Sequence, residues 1–117
     1  MLSRGVDKRK IFLSDRDYFR FIHNLFEFND TKRVRTVTHD SFAKGDDIAS
    51  RRVGRIQARN RDILVDIHAF CLMPNHYHLM LSSRVKDGIS RFMKKINMGY
   101  AKYFNIKNDR RGTLFEA

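Results

Sequence analysis

The stretch at residues 71–81, CLMPNHYHLML, decides how this chain is read. Its Pro74-Asn75 is a turn dipeptide between two apolar runs, residues 63–73 (ILVDIHAFCLM) and residues 76–81. Both runs read as strands, and a two-residue connection leaves room only for a hairpin. Side chains alternate faces along a strand, so His76 and His78 point one way and Tyr77 points into the opposite layer. The histidines are expected at the mouth of the hairpin, not deep in it. Two imidazoles on one face share a cation when a third ligand and an ordered surrounding are supplied. Spacing alone allows the alternative of a partly buried, hydrogen-bonded pair.

Parity along residues 63–73 places His68 with Asp66 and Phe70, on the face opposite Ile67 and Cys71. His68 is expected to be structural, and Asp66 or His68 reaches the pair only if the register aligns them. Cys71 is the single cysteine, which excludes a disulfide framework or a thiolate zinc cluster within one chain. It is expected to be a small core side chain.

Beyond the hairpin, residues 83–88 form a polar turn with Asp87 close to an N-cap position. Ile89, Phe92, Met93, Ile96, Tyr100, Tyr103 and Phe104 recur at helical spacing and predict a helix over residues 88–104. Its other face carries Arg91, Lys94, Lys95 and Lys102, and Asn105 is the expected stop. A basic turn with Lys107, Arg110, Arg111 and Gly112 leads into Thr113-Leu114-Phe115, the start of an extended segment.

Before the hairpin, residues 31–60 lose periodicity and carry two basic clusters, Lys32-Arg33-Val34-Arg35 and Arg51-Arg52-Val53-Gly54-Arg55. A short strand at residues 34–38 is compatible with the pattern. The segment reads either as a flap against a phosphate backbone or as a solvated insertion, and His39 within it has no visible partner. Ser14-Asp15-Arg16-Asp17 has the form of a capping box. It opens a helix over residues 15–28 whose stripe is Tyr18, Phe21, Ile22 and Leu25, broadened by Phe19 and Phe26. His23 falls off that stripe toward solvent, and Asn29-Asp30 ends the helix. Residues 4–10 (RGVDKRK) are a basic loop in which Gly5 is an ordinary turn glycine or permits close approach of a phosphate.

The order is basic segment, helix, strand, turn, strand, helix, short extended segment. It predicts an α+β, ferredoxin-like split β-α-β core with an antiparallel sheet, both helices on one face and incomplete outer strands. At 117 residues this is one domain, and 42% hydrophobic content argues against wholesale disorder. The 24 Lys and Arg against 13 Asp and Glu give a net charge of +11, and 10 Phe with 4 Tyr predict an aromatic core. The charge points to a polyanion, with nucleic acid the best fit and a merely basic, ribosomal-type protein the bland alternative. No window reaches about 18 consecutive apolar residues and the first residues do not form a signal peptide, so a cytoplasmic setting is expected.

CLMPNHYHLML resembles the signature of the HUH single-tyrosine transposases, particularly their REP-associated branch. Arg4-Gly5 with Ile11-Phe12 and Asp17-Tyr18 resembles that family's opening. Tyr100-Ala101-Lys102-Tyr103-Phe104-Asn105 and Gly112-Thr113-Leu114-Phe115 resemble its second helix and exit. The resemblance implies metal-dependent cleavage and rejoining of single-stranded, hairpin-forming DNA. His76 and His78 would hold Mg²⁺ or Mn²⁺, and a tyrosine hydroxyl would attack the scissile phosphate. The products would be a 5′-phosphotyrosine link and a free 3′-OH. The family's nucleophilic tyrosine and further metal ligand are expected on a helix beyond Ala117, so the chain reads as a transposase domain shortened at both ends. Tyr100 and Tyr103 are remote substitutes, being stripe residues of a helix, and Tyr77 alternates away from the histidines. Arg4, Lys8 and Arg9, with Arg91, Lys94, Lys95 and Lys102, are the expected DNA contacts. A homodimer is compatible with this reading. The alternatives are a non-catalytic basic module that binds single-stranded nucleic acid, and a decayed product without activity.

Overall fold

A computed structural model describes residues 1–31 and 62–116. The readings of residues 34–38 as a strand, of His39 and of the basic flap therefore lie outside the described residues. The elements are β1 (Leu2–Arg4), a 3-10 turn (Val6–Lys8), α1 (Asp15–Glu27), β2 (Val65–Met73), β3 (His76–Ser83) and α2 (Gly88–Lys107). The strands pair antiparallel in the order β1-β3-β2, so the histidine-bearing strand is central. An isolated bridge joins Gly5 to Phe115, and Glu116 N–H donates to Arg4 O at 2.8 Å. The exit segment thus lies against the outer edge of β1. This is the expected α+β arrangement, with a first strand of three residues and an exit segment that makes a single bridge.

Tyr77 shows that both helices cover the same sheet face. Its ring lies 4.6 Å from that of Phe21 on α1, and its hydroxyl donates to Asn97 on α2. The core between the layers is aromatic. Phe12 stacks on Tyr18 at 4.5 Å and meets Phe21 edge-on at 5.5 Å, while Tyr100 lies 5.4 Å from Phe21. Each such pair contributes roughly 0.5–1.5 kcal/mol beyond its area burial. The helices themselves approach closely at Gly99, where a Cβ would lie 2.5 Å from the Phe28 ring.

On α1 the buried residues are Asp17, Phe21, Asn24, Leu25 and Glu27, so the apolar stripe is narrower than the sequence pattern. Phe19, Ile22 and Phe26 are 70%, 39% and 52% exposed. Ile22 and Phe26 open instead into an apolar groove of about 310 Å³ beside Ile63, Ile67 and Phe70. His23 is exposed and pairs with Glu27 at 3.0 Å. Ser14 stands at the N-cap without a side-chain cap, so the expected capping box is not made. Its hydroxyl accepts from Lys107 Nζ at 3.3 Å instead. The Asp17 carboxylate reaches back one residue further, to the Leu13 N–H at 2.8 Å.

The end of α1 is tied to the start of β2 by buried Asn29. Its Oδ1 accepts from the N–H groups of Leu64 and Val65, and its Nδ2 donates to Val65 O at 2.9 Å. Helix α2 starts at Gly88 after Asp87, whose φ is 56°. It runs past Asn105 to Lys107 because the Asn105 side chain turns outward to Arg110 and Gly112. Asn108 closes the helix instead, donating to Phe104 O through its N–H at 3.0 Å and its Nδ2 at 2.9 Å.

Strand β2 overturns the simple parity expected for it. A bulge between Ile67 and Ala69 shifts the register against β3. Asp66 opposes Ser82, Phe70 opposes Leu79, and Cys71 opposes His78. His68 bonds Ser82 Oγ at 2.7 Å. Phe70 is therefore on the helix side, whereas Asp66, His68 and Cys71 share the open side. Cys71 is exposed and not a core residue, because no layer of the described structure covers that face.

Candidate functional site

Alternation along β3 sends Tyr77 and Leu79 into the core, at 0% and 3% exposure, and leaves His76 and His78 on the open face. The two imidazole rings lie edge to face with centroids 5.1 Å apart. His76 Nδ1 lies 2.7 Å from Asn75 Oδ1. Oδ1 is an acceptor, so the contact suits the neutral ring protonated on Nδ1, the tautomer whose Nε2 lone pair a metal would use. Two imidazoles this close on one face offer two of the donors that a divalent cation needs. Among the described residues, no group of three His, Cys, Asp or Glu side chains gathers to complete a site.

The turn that carries the pair is held by the N-terminal segment. Pro74 O accepts from the N–H groups of Ile11 at 2.8 Å and Phe12 at 3.2 Å, and Asn75 O accepts from Gly5 N–H at 2.9 Å. Gly5 has an extended backbone with φ −62°, so positive φ is not its purpose. A Cβ there would lie 2.3 Å from Arg9 O. The glycine lets the 3-10 turn fold tightly against the hairpin. Residues 4–12, read from sequence as a basic loop, thus form a clasp that fixes the backbone beneath His76. The composition of that loop gave no signal of this role.

None of the four tyrosines stands beside the pair. Tyr77 is on the core side of β3, and burial pushes its hydroxyl up to about 12. Tyr100 is fully buried and donates to Ile11 O at 2.5 Å, and burial raises its pKa strongly. Tyr103 donates to Asp17 Oδ1 at 2.7 Å; burial, followed by that hydrogen bond to a carboxylate, lifts it to about 12. Tyr18 stacks on Phe12 within the helical layer.

The basic residues divide between two surfaces. The strand register sets Arg4 directly across from His76, on the open face. Arg9 lies over the Phe104 ring at 5.4 Å, toward α2, and Lys8 closes the 3-10 turn with an exposed side chain. Arg91, Lys94 and Lys102 are exposed on the outer side of α2. Lys95 donates to Asp30 O, and burial lowers its pKa against the pull of Asp30. The sheet thus separates the α2 cations from the histidines. Sequence reading also passed over Asp17, which is 0% exposed and accepts from Lys107 Nζ at 2.6 Å. Its place in an acidic first turn concealed its role in joining the two helices.

The domain is thus of the α+β class, with helices on one face of its antiparallel sheet and the histidine pair on the other. The chain belongs to the IS200-like transposase family: the model of that family, described as Transposase IS200 like, matches residues 34–116. DNA is accordingly its partner. No curated protein and no solved structure matches the chain. Among the described residues no helix is long and apolar enough to cross a membrane.

Proposed function

We propose that this chain provides the metal-holding and phosphate-positioning part of a transposase that cuts and rejoins single-stranded DNA flanked by hairpins. The single observation that carries the reading is the His76 and His78 pair on the bare face, with His76 Nδ1 held by Asn75 Oδ1. A divalent ion bound there, Mg²⁺ or Mn²⁺, would supply Lewis acidity toward a phosphoryl oxygen. Asn75 orients the first imidazole, and the clasp of residues 4–12 fixes the turn. The basic surface of the domain gathers the DNA backbone.

In the full reaction, a tyrosine oxygen bonds to the scissile phosphorus as the P–O3′ bond breaks. The tyrosine releases its proton and the departing oxygen takes one to become the 3′-OH. Tyr77, Tyr100 and Tyr103 do not present their hydroxyls on the bare face, so this step calls for a hydroxyl other than theirs. The decisive measurement is binding of a fluorescent single strand carrying a hairpin, with Mn²⁺ and with chelator. Mn²⁺ should tighten binding about tenfold, and either chelator or H76A/H78A should abolish that gain.

The placement of the tyrosines favours a second reading, a non-catalytic module that binds single-stranded nucleic acid. In that case binding falls steeply with salt and ignores both chelator and the histidine substitutions.

A further inference from the structure

We propose that Arg4 is the anion clamp of the histidine site, the residue that holds a phosphoryl oxygen beside the bound cation. The inference rests on the metal reading above and goes beyond it by assigning a role to one strand residue. In the antiparallel pairing of β1 with β3, Arg4 is the direct partner of His76. Directly paired residues place their side chains on the same face with Cβ atoms about 4.5–5.5 Å apart. Arg4, His76 and Met73 therefore form one row across the sheet, and Leu2, His78 and Cys71 form the next. Arg4 is the strand residue that brings a permanent cation to the row containing His76.

The state of the side chain also points to a ligand. Arg4 is partly buried, and its Nε is buried without a hydrogen-bond partner. A guanidinium nitrogen withdrawn from water and left unpaired is unfavourable unless an acceptor arrives. Asp7 and Glu116, near β1 in sequence or space, are both exposed, and among the described residues neither forms an ion pair with it. A phosphodiester oxygen matches the fork of donors and supplies the missing charge. The backbone beneath Arg4 is held on both edges, because its carbonyl accepts from Glu116 and its neighbour Gly5 donates to Asn75. The Cα of Arg4 is thereby fixed relative to the turn that sets His76.

This arrangement makes a prediction with two opposite signs. With no anion present, a cationic side chain next to the histidines repels a divalent ion. With a phosphate bridging the two, the same side chain strengthens the assembly. Titration calorimetry of the full chain with Mn²⁺, alone and with a short oligothymidylate, tests both. In the unsubstituted protein the oligonucleotide should tighten Mn²⁺ binding about tenfold. Arg4→Gln should bind Mn²⁺ alone as tightly or several-fold more tightly, and should lose most of the gain from the oligonucleotide. Arg4→Lys should recover part of the gain, since charge remains while the planar fork is lost. If Mn²⁺ binds and the gain persists in Arg4→Gln, the clamp is disproved while the metal site stands. If the unsubstituted protein fails to bind Mn²⁺, both are overturned. A circular dichroism melt of each variant verifies that the fold is retained.

Discussion

Lys107 donates to the buried carboxylate of Asp17 at 2.6 Å, joining the last turn of α2 to the first turn of α1. Burial on its own would raise the Asp17 carboxyl. Hydrogen bonds from Lys107, Leu13 N–H and Tyr103 outweigh it and hold the group below its ordinary value. Asp17→Asn should destabilise the domain by about 2 kcal/mol near neutral pH. A depressed folded-state pKa adds stability above the unfolded value near 3.8, and that stability is lost as pH falls through the folded value. The gap between the two proteins in urea melts should therefore be full at pH 6 and shrink below about pH 4.

Asn75 is expected to tune the histidine site without contacting the ion. Asn75→Ala removes the acceptor from His76 Nδ1 and frees the ring to rotate or change tautomer. Mn²⁺ affinity should fall about tenfold while the melting temperature changes little. An unchanged affinity would separate the Asn75 bond from metal binding.

Asn24 carries a cost in the present sequence. Its side chain is 0% exposed, and neither Oδ1 nor Nδ2 has a hydrogen-bond partner. Replacing it with an apolar side chain of the same γ-branched shape removes the desolvation penalty. Asn24→Leu should raise stability by about 1 kcal/mol in denaturant titration.

The cations of α2 make a prediction about salt. Arg91, Lys94 and Lys102 are free to meet a phosphate backbone, whereas the Lys95 ammonium is engaged with Asp30 O. For single strands, each removed phosphate contact should make the slope of log affinity against log salt shallower by about 0.7. Gln at 91, 94 or 102 should show that change. Lys95→Gln should lower thermal stability instead and leave the slope unaltered.

The alternation of His76, Tyr77 and His78 was legible because strand geometry converts a local pattern directly into opposite faces. The helices were legible for the same reason at a period of 3.6. What the sequence concealed depends on contacts distant along the chain. The bulge at His68 moved Cys71 out of the expected core, and no residue type near it announces that shift. Ser14 looked like one half of a capping box, yet Lys107, 93 positions away, occupies its hydroxyl. The α1 stripe reads as broad because Ile22 and Phe26 are apolar, and only the packing of α1 against Tyr77 and α2 shows that both lie outside the core. Within the site, the histidines could be read locally. The proximity of Arg4 to them required the pairing of β1 with β3.

Strand β3 places core and chemistry on alternate residues, which gives its coding sequence an unusual sensitivity. Inserting or deleting one residue between Asn75 and Leu79 would push imidazoles into the aromatic interior and bring Tyr77 or Leu79 to the bare face. A deletion scan across β3 should therefore find no variant that retains the fold while losing the site. Drift in this segment is confined to substitutions, which can change the bare face and the hydrophobic core one residue at a time.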